Sequence, residues 1–173
     1  MKGALLLKQG RVNSGLRLLR GALDELRETG SVPRYSAFLG VLAEGLAGAG
    51  QLDAADAAVG EALLRSDINE ERWCVAELLR VKGELVLLEN GPEAAAEAED
   101  HFRQALDWAR RQRALSWELR AATSLARMWR DHGRSEEARD LLASIYDRFT
   151  EGFETADLKI ARSLLVEFDS YRT

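Results

Sequence analysis

The fold is decided by two stretches of sequence, Leu42-Ala43-Glu44-Gly45-Leu46 and Ala55-Asp56-Ala57-Ala58-Val59-Gly60-Glu61-Ala62. Small residues stand at 43, 55 and 62, twelve and then seven residues apart, and large apolar residues stand at 46 and 59. A spacing of seven is two turns of a helix, so Ala55 and Ala62 lie on one helix face. Small side chains there let two antiparallel helices approach closely, while the large ones fill the gaps to their neighbours. The pattern predicts a helical hairpin.

This pattern occurs four times along the chain. The small positions are Gly3, Gly15 and Ala22; Ala43, Ala55 and Ala62; Gly83, Ala98 and Ala105; and Ala126, Ala138 and Ile145, of which Ile145 is not small. The accompanying large positions are Leu6, Leu46, Val86 and Trp129, and Leu19, Val59, Phe102 and Leu142. The period is forty residues, except where a turn-like insertion at 89–93 adds three. A repeat of this length predicts stacked helical hairpins.

Helix-breaking residues divide the repeats as such a stack requires. The first helix of each hairpin is predicted to end at Gly10, Gly50, Asn90-Gly91 or Gly133, and polar connections follow at 29–33 and 67–69. None of these segments alternates as a strand does. We therefore predict an all-α fold, a right-handed solenoid of four antiparallel helical hairpins, the first truncated, with a C-terminal capping helix. One domain spans residues 1–173, with hairpins at about 2–29, 34–67, 71–113 and 115–149 and the capping helix at about 155–170.

The repeat resembles the tetratricopeptide repeat. The match rests on Leu42-Ala43-x-x-Leu46 with Ala55-x-x-x-Val59-x-x-Ala62, and on Lys82-Gly83-x-x-Val86 with Ala98-x-x-x-Phe102-x-x-Ala105. The period of forty exceeds the usual thirty-four, so longer helices are expected. A HEAT-like array fits the period alone, but it does not require the small positions.

A second resemblance covers nearly the whole chain. Residues 72–85, 118–127 and 146–158 look like the C-terminal repeat region of large bacterial signalling ATPases. In that family a nucleotide-hydrolysing module precedes the repeats, together with a winged-helix DNA-binding domain or a nucleotide-cyclase domain. This sequence contains none of those modules. The likeness implies a regulatory, partner-sensing role in bacterial signalling or transcription.

Composition narrows the class of protein. The formal net charge is −5 and the pI is near 5.2, which argues against direct nucleic-acid binding. The single cysteine, Cys74, cannot form an internal disulfide, which suits a reducing cytoplasm. No apolar run is long enough for a membrane span or a signal-peptide core. We expect a soluble cytoplasmic protein that binds no membrane.

No set of residues predicts catalysis, a cofactor or a metal. The glycine-rich segment 45–50 lacks the Lys-Ser/Thr ending of a phosphate loop and follows a helix. We expect His101 on a solvated helix surface and His132 at a helix C-terminus. Acidic clusters such as 93–100 are typical of an outer helix face. The four tryptophans could form a ligand cage, but packing between hairpins is the favoured interpretation.

The predicted activity is therefore binding rather than turnover. A protein or peptide would lie in the groove formed by the first helices, whose candidate residues are Glu44, Arg80, Glu84, Arg120, Thr123, Arg127 and Arg130. We expect Arg80 to pair with Glu44 and Glu84 with Arg127, while Arg120 and Arg130 lack acidic partners in the same row of groove residues and favour a carboxylate or an acidic peptide segment. The alternative function is a small-molecule or oligopeptide sensor that changes the curvature of the stack.

The N-terminal end is predicted to be an incomplete part of the stack. Residues 2–9 supply only about two helical turns, so Leu5, Leu6 and Leu7 would lack a preceding neighbour. We expect this end to pair with a second copy, as a homodimer, or with upstream chain.

Overall fold

The computed structural model describes residues 2–29, 34–89 and 93–170, and every regular element in these ranges is helical. The predicted all-α class is confirmed. The helices are α1 (Lys2–Lys8), α2 (Val12–Thr29), α3 (Tyr35–Gly48), α4 (Leu52–Ile68), α5 (Val75–Leu88), α6 (Ala94–Arg111), α7 (Leu115–Asp131), α8 (Ser135–Tyr146) and α9 (Ala156–Ser170), with one 3-10 turn at Arg72–Cys74 before α5.

Three helices end at glycines with the same backbone geometry. Gly10, Gly50 and Gly133 follow α1, α3 and α7 with φ of 76°, 73° and 78°. The amide after each glycine donates to a carbonyl five residues back, as Gln51 does to Leu46 at 3.0 Å, and each glycine amide donates three residues back. This is the Schellman arrangement, which favours glycine because its central residue is left-handed. The predicted stop at Asn90-Gly91 lies outside the described residues, as do residues 90–92 of the predicted insertion at 89–93 and residues 30–33 of the predicted connection at 29–33.

Helices pack against their neighbours in sequence, and alternate helices also touch, α1 with α3, α3 with α5, α5 with α7 and α7 with α9. The close approaches occur where the sequence has small residues. A Cβ added to Gly3 would lie 2.9 Å from the backbone nitrogen of Leu19, and one added to Gly83 would lie 2.6 Å from the Phe102 ring. Eleven of the twelve small positions, counting Ile145 among them, and all eight large positions are buried.

Ala22 is the exception among the small positions because it is exposed. It lies two turns beyond Gly15, which α1 contacts through Gly3.

The core follows the chain as two adjoining clusters of buried side chains, and α5 contributes to both. Leu78, Val81 and Leu85 belong to the cluster with α2, α3 and α4, whereas Leu79 and Val86 belong to the cluster with α6 to α9. Each fully buried Leu or Phe stabilises the fold by roughly 1.5–3 kcal/mol. Because α5 is buried on two faces, it holds the two halves of the core together.

Candidate functional site

Arg80 is the centre of a charged cluster that joins α3 and α5. Only 7% of this residue is exposed, yet its guanidinium pairs with Glu77 at 2.9 Å, with Glu84 at 3.5 Å and with Glu44 of α3. Burial lowers the pKa of Arg80, but the charges of Glu77, Glu44 and Glu84 outweigh it, so the pKa is raised overall. Arg80 therefore stays charged, and its predicted pairing with Glu44 is confirmed.

Arg120 extends the cluster to α7, which corrects the prediction that it lacks acidic partners. Its Nη2 lies 2.7 Å from Oε1 of Glu77 and 3.4 Å from Oε1 of Glu44. Sequence reasoning missed Glu77 as a partner of Arg120. An arginine side chain is long enough to pass the residue directly opposite it and reach a carboxylate one helical turn away on the neighbouring helix.

Arg130 has acidic partners outside the row of groove residues. Arg130 pairs with Asp131 at 2.9 Å and with Glu167 of α9 at 3.1 Å. The hydrogen bond to Asp131 raises the pKa of Arg130, and the charge of Glu167 adds to the effect.

The predicted pair between Glu84 and Arg127 does not form. Glu84 instead accepts a hydrogen bond from Ser124 Oγ at 2.5 Å, in addition to its contact with Arg80. Arg127 is exposed, and its side chain forms no ion pair or hydrogen bond with any residue in the described ranges. It is thus the one arginine among the seven candidates that forms no ion pair with a described residue.

A small polar depression lies beside this cluster, and we call it the arginine basin. Its volume is about 130 Å³ and its lining residues are Arg80, Arg120, Thr123, Ser124, Arg127, Asp157 and Ile160. Thr123 donates its hydroxyl hydrogen to the carbonyl of Leu119 at 2.8 Å. The hydroxyl oxygen of Thr123 can still accept a hydrogen bond.

A larger and mainly apolar depression adjoins the cluster on its other side, and we call it the tryptophan cavity. Its volume is about 490 Å³, and α1, α3, α5 and α7 all contribute to it. The apolar walls include Leu7, Phe38, Val41, Trp73, Leu78 and Trp117. Glu44, Glu77 and Arg120 form its charged border. The depression therefore combines an apolar interior with an ionic rim.

Two aromatic rings from separate segments meet at this cavity. Trp73, in the 3-10 turn, stacks on Trp117 of α7 with a centroid distance of 5.9 Å and an angle of 29°. The Arg34 guanidinium lies 5.8 Å from the Trp73 ring. Trp73 is 42% exposed. The packing interpretation holds for Trp129, which is buried, but Trp73 and Trp117 also line the cavity.

Sequence reasoning did not identify the α3 side of the cavity. Phe38, Val41, Gly45 and Gly48 all line it and occur at successive spacings of three, four and three. Such spacings place residues along one helix stripe, so the signal was present. It was hidden because the same helix also buries Leu39, Leu42 and Leu46.

The two histidines differ from each other. His132 follows α7, and its Nδ1 lies 2.7 Å from the carbonyl of Met128, in agreement with the predicted role at the helix C-terminus. His101 was expected on a solvated surface, but its side chain is only 20% exposed and its Nδ1 is buried without a hydrogen-bond partner. Oε1 of Glu97 lies 3.8 Å from its Nε2.

Metal-ligand clusters of three or more His, Cys, Asp or Glu side chains are absent from residues 2–29, 34–89 and 93–170. Over the same ranges, every helix is too short or too polar to cross a membrane.

The chain was compared with protein-family models and with curated proteins, and neither comparison gives a match. The resemblances to tetratricopeptide repeats and to bacterial signalling ATPases therefore stay predictions.

Proposed function

We propose that this chain is a non-catalytic module that holds a segment of a partner protein against α3, α5 and α7. It would serve as the regulatory repeat region of a bacterial signalling or transcription-regulating protein in the cytoplasm. The partner is a protein or peptide, not a nucleic acid or a membrane. The tryptophan cavity carries this proposal, because an apolar recess of about 490 Å³ with a charged rim can anchor one large side chain and orient the chain around it.

The proposed architecture is the predicted right-handed solenoid of four hairpins with α9 as its capping helix. Contacts between alternate helices support it, because stacked hairpins bring first helices side by side. The three matching Schellman ends support it as well, since they end α1, α3 and α7 in the same way.

The test is selection of peptides from a displayed random library on the immobilised full chain. Each enriched peptide is then titrated against Gly48→Trp and Gly60→Trp variants by fluorescence polarisation. Both glycines lie in helices, and a Cβ added at either would have no neighbouring atom within 4 Å, but only Gly48 lines the cavity.

Gly48→Trp should weaken binding about tenfold or more, because the new ring occupies space that the ligand side chain needs. Gly60→Trp should bind as the unaltered chain does. The proposal fails if no peptide is enriched, or if both variants bind every enriched peptide equally well.

A second candidate is a small-molecule or oligopeptide sensor that acts through solenoid curvature. The cavity volume favours it, because small-molecule sites commonly occupy about 300–1,000 Å³. A compound library is screened by thermal unfolding on the unaltered chain and on Gly48→Trp. A sensor ligand should stabilise only the unaltered chain and should change its small-angle X-ray scattering profile. Saturable stabilisation with an unchanged profile would indicate binding without a curvature signal.

A further inference from the structure

The tryptophan cavity and the arginine basin adjoin each other. Arg120 lines both depressions, and both are built on α5 and α7. The apolar recess and the polar one thus share an arginine at their border. A ligand that fills both must have an apolar part and a polar part joined by a short connection.

The charges that line the arginine basin determine which polar group of a ligand fits there. Three arginines and one aspartate, Asp157, are its charged lining residues. Arg80 and Arg120 already pair with Glu44 and Glu77, whereas Arg127 has no ion-pair partner among the described residues. Arg127 also lines the next depression, with Arg130, Lys159 and Glu167, but there Arg130 pairs with Asp131 and Glu167, and Lys159 pairs with Glu154. The chain as a whole is acidic, so attraction of an anion depends on Arg127.

The distance between the two recesses sets the length of the connection. Trp117 and Arg127 are ten residues apart on α7, which is about 15 Å along the helix axis. An extended peptide rises about 3.3 Å per residue and covers this distance in four or five residues. Since both side chains can lean toward each other, a separation of three to five residues fits.

We propose that the partner segment is an acidic peptide that places one large apolar side chain in the tryptophan cavity and a carboxylate, three to five residues away, on Arg127. This inference rests on the proposed function and adds the chemistry of its ligand. The guanidinium of Arg127 can bind a carboxylate through two parallel hydrogen bonds, which a lysine could not do.

The test uses the peptides selected on the full chain. We expect the enriched sequences to carry Asp or Glu three to five residues from Trp, Phe or Leu. For the best such peptide, changing that acid to its amide should weaken binding to the unaltered chain about tenfold. The same change should have little effect on binding to Arg127→Ala, because the contact is already lost.

Arg162→Ala is the matched control, since Arg162 is an exposed arginine on α9 that lines neither recess. It should bind all peptides normally. Circular dichroism establishes that both variants are folded. If enriched peptides lose binding in Gly48→Trp but lack the acid, are basic, or are insensitive to Arg127→Ala, the ligand chemistry is wrong and the proposed function stands. If no peptide is enriched, the proposed function itself fails.

Discussion

The Arg120 guanidinium on α7 lies 2.7 Å from the Glu77 carboxylate on α5. The same carboxylate also pairs with the guanidinium of Arg80, on its own helix, at 2.9 Å. One carboxylate thus holds two arginines at the border of the tryptophan cavity. Side chains proposed to meet a partner are therefore also contacts between helices. Stability measurements are needed to separate the two roles.

Arg80 is expected to act on stability more than on binding. Arg80→Ala should lower the free energy of unfolding by about 2–4 kcal/mol, because it removes a buried cation and leaves Glu44, Glu77 and Glu84 close together. Arg127→Ala should change it by less than about 0.5 kcal/mol. Urea denaturation of both variants measures the difference. Equal effects would contradict the distinction between a structural arginine and a free one.

Gly83 should tolerate no side chain. A Cβ there would lie 2.6 Å from the ring of Phe102, which is fully buried and cannot move aside, so Gly83→Ala should cost about 1–3 kcal/mol. Gly60→Ala on α4, where a Cβ meets open space, should instead stabilise the protein by about 0.5–1 kcal/mol. Thermal unfolding should shift in opposite directions, and a gain in stability for Gly83→Ala would refute the close approach of α5 and α6.

Glu118 should connect the ends of three helices. It is 3% exposed, and its carboxylate pairs with two guanidinium groups. The N···O distance is 3.0 Å to Arg110 of α6 and 2.7 Å to Arg148, just after α8. Replacing both arginines with Ala leaves a buried carboxylate without a counter-ion. The free energy of unfolding should therefore fall by about 3–5 kcal/mol. Glu118→Gln should cost less, because it removes the buried charge while the arginines remain about half exposed. Chemical denaturation orders the variants, and the reverse order would show that Glu118 needs no counter-ion.

Cys74 should make stability fall in alkaline solution. Burial raises the pKa of this thiol, although a hydrogen bond with Ser66 opposes the shift. The thiol therefore stabilises the fold fully below the unfolded thiol pKa, roughly 8.5, and this contribution is lost as pH rises toward the folded pKa. Comparing Cys74→Ala with the unaltered chain from pH 7 to 10 isolates the effect. The variant should lose less stability, and parallel curves would show that the thiol ionises freely.

Leu5 is the residue with which to test self-association of the N-terminal end. It is 57% exposed on α1, whereas Leu6 is buried and Leu7 lines the tryptophan cavity. If this surface joins two copies, Leu5→Asp should shift the sedimentation profile toward monomer at high concentration. Ile68→Asp, at an exposed residue of α4, is the control. A chain that is monomeric at every concentration would contradict the homodimer.

The helices and their buried faces could be predicted because the contacts that form them leave a periodic signal. Gly83 and Ala98 are small for the same reason that Phe102 is large, namely that α5 and α6 approach closely there. Ala22 shows the limit of such a pattern, because a small residue has the same identity whether or not a neighbouring helix covers it.

The candidate site was less predictable than the helices, because its cavity forms where neighbouring helices leave a space between them. Phe38 and Trp117 are partly buried and read as ordinary packing residues until the space between them is known. Ion pairs are harder still to predict. Arg120 pairs with Glu77 rather than with a residue directly opposite it, because its side chain is long enough to do so. The sequence identified the candidate cations. It did not show that Arg127 would be the one without an ion-pair partner.

The stack of Trp73 on Trp117 has an optical consequence. Two indoles with centroids 5.9 Å apart couple their electronic transitions, so the pair should give a distinct near-ultraviolet circular dichroism signal. The rings belong to segments forty-four residues apart and form part of one cavity wall. Any occupant that wedges between them or turns one ring would alter that signal without a chemical label. Trp73→Phe should abolish it while an aromatic wall remains, which gives the protein a built-in spectroscopic readout of cavity occupancy.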